Sequence, residues 1–282
     1  MRTVGPVGSL LALSANDHIC WPYRDLSSFR ASLVEFLGAG IARGLRVAYA
    51  GTGDPASLRS SLEGLADVDR LLAGGGLEIV ALDVVYGARV LSDPDVAAEA
   101  FATATQRALA DGYAGFRVGA DVTEMVRSPA RRDCFIRYES QVDRFASTHP
   151  FSAMCAYDAQ LGPAVLAELA SVHPIAPAAL TPFHVFTTSE GALGLSGEVD
   201  AASAAQFRRT LERIRLTPDA AAVVWDLSAV TFIDHRALQA IDAMAARLGI
   251  PALIADPPRL VRRLAQLVPF VHVEIVDAEP SS

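Results

Sequence analysis

Short apolar segments alternate with helical patterns through the first 172 residues, and this alternation limits the fold more than any other feature. HICWPY (18–23), RVAYAG (46–51), LEIVAL (77–82), GFRVGA (115–120) and SAMCAY (152–157) are brief and rich in β-branched or aromatic residues. Between them the apolar period changes to 3.6. In SSFRASLVEFLGAGIARG, Phe29, Leu33, Phe36, Leu37 and Ile41 fall on one face, with Ser27 or Ser28 as the expected N-cap. In SDPDVAAEAFATATQRALADG, a Ser-Asp-Pro start supplies a cap and an N1 proline, and Gly112 ends the helix. Strand–helix repetition with apolar strands predicts an α/β fold, a parallel sheet covered on both faces.

HPIAPAALTP (173–182) then puts three prolines into ten residues, which reads as a stiff linker because proline has no N–H for a helix or central strand. The expected division is a first domain at 1–172, the linker at 173–182 and a second domain at 183–282. FHVFTT and ALGLSGEVD read as a hairpin around Ser189-Glu190-Gly191. SAAQFRRTLERIRL carries Ala204, Phe207, Leu211 and Ile214 on one stripe. AAVVWDLS reads as a continuous buried strand followed by a short loop. ALQAIDAMAARLG, ending at Gly249, then PALIAD, PPRLVRRLAQL and VHVEIV complete the order ββαβαβαβ, a small α/β sandwich.

Composition removes several functions. The net charge of −8 opposes nucleic acid and anionic lipid, and the basic cluster Arg127, Arg131 and Arg132 is short. All basic residues are arginine, so a lysine Schiff base, a lysine general base and a phosphate-loop lysine are excluded. Cys20, Cys134 and Cys155 are sparse, lack C-x-x-C spacing and read as reduced thiols. The start is too interrupted for a signal peptide, and no run of about 18 apolar residues occurs, so a cytoplasmic protein is expected.

In open parallel sheets ligands bind beyond the carboxyl ends of the strands. Those ends present Tyr23 and Arg24, Thr52 and Asp54, Asp83 and Tyr86, Asp121 and Glu124, then Tyr157 and Asp158. Tyrosines, one arginine and several carboxylates suit a small polar or aromatic ligand; Asp54 and Asp121 read equally as helix caps. His18, Cys20, His149 and Cys155 invite a metal reading. Their spacing is not that of zinc ligands, and a buried cysteine is usually a small hydrophobe. His18 opens its strand, at the end away from the rim. A structural role is expected for it, and no metal or cofactor.

Two resemblances follow from motifs. LGLSGEVDAASAAQF, then VVWDLSAVTFIDHRAL, resembles the STAS family of anti-sigma-factor antagonist domains over about 183–278. Gly197, Asp200, Asp226, Leu227, Ser228, Phe232, Ile233, Asp234 and Leu238 fall on the family outline. The resemblance implies docking to an anti-sigma factor or related regulator, switched by phosphorylating a serine after the aspartate. Phosphate there adds roughly −1.5 to −2 charge at a helix start. In this chain His235 stands in that serine's place, Arg236 replaces the second serine and Ala237 the glycine, so serine phosphorylation at that position is excluded unless a neighbour such as Ser228 or Thr231 substitutes. Asp234 reads most simply as an N-cap worth about 1 kcal/mol. Arg236 opposes the helix dipole in the first turn, which points to a partner carboxylate or phosphate. Asp200, Asp234, His235 and Arg236 are the expected docking residues.

Residues 9–174 are similar to the MEDS (methanogen/methylotroph sensory) domains, most specifically at DHIC-x-x-Y (Asp17 to Tyr23) and C-x-Y-D (Cys155 to Asp158). That resemblance implies small-molecule sensing on a RecA-like sheet. The segment in the position of a phosphate loop has neither glycine nor lysine, so ATP hydrolysis is not expected. The leading expectation is a non-enzymatic cytoplasmic regulator that couples a small-ligand sensor to a docking domain, with no nucleic acid and no membrane. The alternatives are an enzyme acting at the sheet rim and a non-switching scaffold.

Overall fold

The computed structural model describes residues 3–85, 94–216 and 220–276. Its N-terminal part is a seven-stranded, all-parallel sheet in the order β1-β7-β2-β6-β5-β3-β4. The strands are β1 (Gly5–Pro6), β2 (His18–Tyr23), β3 (Arg46–Gly51), β4 (Leu77–Ala81), β5 (Phe116–Asp121), β6 (Phe151–Asp158) and β7 (Ile175–Ala176). The connecting helices are α1 (Leu26–Ala42), α2 (Pro55–Ser60), α3 (Val68–Ala73), α4 (Leu82–Val85), α5 (Pro94–Ala110), α6 (Thr123–Val126), α7 (Pro129–Thr148) and α8 (Pro163–Ala170). One core packs Phe29, Leu33, Phe36 and Leu37 of α1 onto one face of the sheet; a second packs α5, α7 and α8 onto the other. The five expected strands are present. β1 and β7 were not expected, because two-residue strands are too short to show a period.

Helix α1 follows β2 after only two residues. Its cap is Asp25, not Ser27 or Ser28: Asp25 Oδ1 accepts the Ser28 N–H at 2.7 Å, and the Ser28 hydroxyl completes a capping box. The carboxylate reaches the orphan N–H groups from outside the helix, where a serine already inside the first turn cannot.

The linker reading also needs correction. His173 and Pro174 are buried and β7 pairs with β1 and β2, so the first four of those ten residues belong to the first sheet. The chain crosses to a second, five-stranded mixed sheet at β8 (Phe183–Thr187). That sheet runs β12-β11-β10-β9-β8, with β9 (Leu193–Val199), β10 (Val223–Ile233), β11 (Ala252–Ala255) and β12 (Val273–Val276). Only the β8–β9 hairpin is antiparallel. Helices α9 (Ala204–Arg213), α10 (His235–Leu248) and α11 (Arg259–Leu267) bury Phe207, Leu211, Leu238, Ile241 and Val261 against it.

β10 departs from expectation in two ways. Its first residues alternate, Val223 and Trp225 buried and Val224 exposed, because helices cover only one face there. It also continues through the expected loop to Ile233, using two register shifts against β9 between Asp226 and Phe232. Such bulges let pairing continue while side chains are re-aimed. Among the described residues, no helix is long and apolar enough to cross a membrane.

The two parts are joined by a bonded seam. Asp143 Oδ2 of α7 accepts the Thr187 N–H of β8 at 2.6 Å, and the Val185 N–H donates to the Ser171 carbonyl at 2.8 Å. The Ser171 and Thr210 hydroxyls meet at 3.0 Å, and Gln206 Nε2 donates to the Ala167 carbonyl at 2.9 Å. Arg213 of α9 pairs with Asp133 and Glu168 of the first part.

Candidate functional site

The parallel register first fixes the rim. β2 and β6 align Tyr23 with Asp158, and β5 and β6 align Asp121 with Ala156. Around Thr123, a residue the sequence reading passed over, three of the expected groups meet. The Tyr23 hydroxyl donates to Asp121 Oδ2 at 2.9 Å and lies 3.3 Å from Thr123 Oγ1. Thr123 donates to Asp121 Oδ1 at 2.7 Å and accepts the Asp158 N–H at 2.9 Å. Burial, more than any neighbour, raises the Tyr23 phenol above its ordinary range, so it serves as a donor and not as an anion.

The remaining rim residues stand apart from this knot. Glu124 pairs with Arg127 at 2.6 Å, while Arg24 and Thr52 are exposed. Asp54 caps α2, accepting the N–H groups of Ala56 and Ser57. Tyr86 and the side chain of Asp83 lie outside what the structure describes. Tyr157 is not on the rim surface: its ring is fully buried and its hydroxyl donates to Glu139 Oε1 at 2.7 Å. Strand alternation explains this, since Tyr157 shares a face with Cys155, beneath α7.

That face holds a second polar group. Glu139 Oε2 lies 3.0 Å from His18 Nε2, 3.4 Å from Cys155 Sγ and 3.7 Å from His173 Nε2, and all four side chains are buried. Cys155 Sγ is 3.5 Å from His18 Nε2, and the two imidazole rings are 4.2 Å apart. The His18 Nδ1 faces Asp143 Oδ1 at 3.5 Å, while the His173 Nδ1 donates to the Leu169 carbonyl at 2.8 Å. Burial works against charge on Glu139, but the bonds its two oxygens make with His18 and the Tyr157 hydroxyl outweigh it and leave the carboxyl below its ordinary range. Burial alone would also neutralise His18, yet its bonds to Asp143 and Glu139 raise it overall. Burial, with the neighbouring His18, pushes His173 down to about 4, so it is a neutral imidazole.

Of the four residues first weighed for metal, the fold unites His18 and Cys155 and leaves two aside. Cys20 is next along the same face but outside the group, and His149 stacks on Phe145 at 4.1 Å. Glu139 and His173 were missed. The signal for Glu139 was present: Phe135, Glu139, Val142 and Ala146 form one buried stripe of α7, and a carboxylate at a core position requires a buried partner.

At the second sheet, β9 and β10 end side by side, Val199 opposite Ile233, and the Asp234 N–H donates to the Val199 carbonyl. This brings the starts of α9 and α10 together. Asp200 accepts the N–H groups of Ala202 and Ser203, bonds that hold its carboxyl below the usual range. Asp234 caps α10 by accepting the Ala237 N–H at 3.0 Å. His235 and Arg236 are exposed, and the Arg236 guanidinium rests 3.7 Å from Asp234 Oδ2. Arg236 and Arg208 border a groove of about 490 Å³ between α9 and α10.

Comparison with known proteins agrees with this division. A family model described as the methanogen/methylotroph, DcmR sensory domain (MEDS) matches residues 17–174, and the STAS domain model matches residues 185–279. No curated protein matches the chain. The two motif blocks of the MEDS resemblance, Asp17–Tyr23 and Cys155–Asp158, lie on neighbouring strands, Cys20 beside Cys155. Since the first model covers more than half of its length, the chain belongs to the MEDS family, a sensory domain here followed by a STAS domain in the arrangement of a regulatory signalling protein.

Proposed function

We propose that the chain is a non-enzymatic cytoplasmic regulator in which the MEDS part senses a small ligand and the STAS part docks an anti-sigma factor or a related protein. The observation that carries this reading is the bonded seam. A ligand moves an equilibrium only through contacts that differ between two states, and here α7 and β8 are joined directly through Asp143 and Thr187.

We read the first sheet as RecA-like with its phosphate site lost. The two-residue β2–α1 connection leaves no loop to surround a phosphate, and the Asp25 carboxylate already occupies the helix start, where it would repel an anion. The rim residues Tyr23, Arg24, Thr52, Asp121, Glu124 and Asp158 remain the proposed mouth for the ligand. On the STAS part, Asp200, Asp234, His235 and Arg236 share one end of the sheet beside a groove bordered by two arginines, which suits an acidic partner surface. Because His235 replaces the serine, the switch is assigned to the sensory half. The free cysteines agree with a reducing compartment.

The test is photo-crosslinking in cells from residue 239, in the groove, followed by affinity measurement with the captured regulator. Arg236→Glu should weaken binding by roughly tenfold or more. An unchanged affinity in Arg236→Glu, or crosslinking only from the opposite face of the sheet, would sink the docking assignment.

A further inference from the structure

We infer that His18, Glu139, Cys155 and His173 form a closed site for one divalent, zinc-type metal ion that ties the sensory sheet to the seam with the STAS part. The four candidate ligand atoms all lie within 4.8 Å of one another. With bonds of about 2.0–2.1 Å to nitrogen and oxygen and about 2.3 Å to sulfur, a tetrahedral ion sets edges of roughly 3.3 Å between N and O ligands and roughly 3.5 Å to sulfur. The edges from Glu139 Oε2 are 3.0 Å to His18 Nε2, 3.4 Å to Cys155 Sγ and 3.7 Å to His173 Nε2, and the sulfur–His18 edge is 3.5 Å. With the protons on His18 Nε2 and Cys155 Sγ released to solvent as the ion binds, two imidazoles, a carboxylate and a thiolate carry two negative charges together, the number a divalent ion neutralises.

The independent observation is an unpartnered lone pair. His173 donates through Nδ1 to the Leu169 carbonyl, which leaves Nε2 as the bare nitrogen, and Nε2 is buried in the cluster with no hydrogen-bond partner. A hydrogen-bonded core would supply a donor there, since an unmet buried acceptor costs about 1–3 kcal/mol. The outer contacts are also those a metal site uses. His173 Nδ1 is fixed by a carbonyl, His18 Nδ1 faces the Asp143 carboxylate, and the Tyr157 hydroxyl holds the far oxygen of Glu139. Four protein ligands and full burial leave no open coordination position, so the ion holds structure and does not act on substrate.

Two of the holders touch the seam. Asp143, behind His18, accepts the Thr187 N–H, and the His173 carbonyl accepts the His184 ring N–H at 2.9 Å. The site is therefore placed to align β8 with the first sheet. It stands on its own residues and does not depend on the docking assignment.

Because the ligands are buried, the ion enters as the chain folds, and loading is by refolding. The full chain is unfolded with chelator and refolded with cobalt(II). The expected result is about one cobalt per chain, with the intense visible bands of tetrahedral cobalt and a thiolate-to-cobalt charge-transfer band. Cys155→Ser should lose the charge-transfer band. In case that variant fails to fold, the Cys20→Ala/Cys134→Ala chain, with Cys155 as its only thiol, should keep it. A refolded wild-type chain of native circular dichroism that retains no cobalt overturns the proposal. So does a charge-transfer band that survives Cys155→Ser or disappears in the double variant.

Discussion

The rim and the buried face of the first sheet use similar residues for opposite purposes. At the rim, Tyr23, Asp121, Thr123 and the Asp158 backbone satisfy one another, and the network closes within a few residues of the strand ends. Beneath α7, Tyr157, Glu139, His18 and Asp143 run from the middle of the sheet to the N–H of Thr187 in the other part. A knot that closes on itself can change with little consequence elsewhere, whereas a chain of polar groups that runs on to the other part passes its state onward. In this fold the rim is suited to meeting a ligand and the buried face to carrying the result.

That contrast sets an order of effects. Glu139→Ala should be the most disruptive, about 3–5 kcal/mol in urea unfolding, because it strips the acceptor from buried His18, Cys155 and Tyr157. A loss below 1 kcal/mol would reduce the cluster to ordinary packing. Asp143→Ala, which leaves the Thr187 N–H without its carboxylate, should cost about 1–3 kcal/mol and split the unfolding of the two parts into separate transitions. Tyr23→Phe, at the rim, should cost about 1 kcal/mol and leave the seam amides unchanged in hydrogen exchange. The smallest effect is expected at Asp200. Its carboxyl is held below the ordinary 3.8 by Ser203, so the capping it provides is complete above that value and drains as pH falls through the folded pKa. Protection factors at Ala202 and Ser203, taken against the intrinsic exchange rate at each pH, should fall along that acid limb and stay flat in Asp200→Asn.

Much of this was legible in the sequence, for identifiable reasons. The strands that could be read are four to eleven residues long and carry apolar runs, and the order ββαβαβαβ followed from a clear change of period at each helix. Gly249, with φ of 71°, ends α10 where its position predicted. β1 and β7 carry no pattern of their own and exist because other strands offer them an edge. Glu139 stood in plain sight on an apolar stripe. His173 was hidden by its prolines: HPIAP reads as a linker, yet the histidine before Pro174 turns back under the sheet. Tyr157 was assigned to the rim by counting strand ends, when the two-residue alternation from Cys155 already placed it inside.

Hydrogen exchange in β8 of the full chain, compared between wild type and Glu139→Gln, tests most directly whether the sensory half reaches the STAS part. The amides of Val185 and Thr187 should exchange faster in the variant, while those of β11 and β12, at the far edge of the same sheet, keep their wild-type rates. Unchanged rates at Val185 and Thr187, with exchange altered only inside the first sheet, would contradict the account.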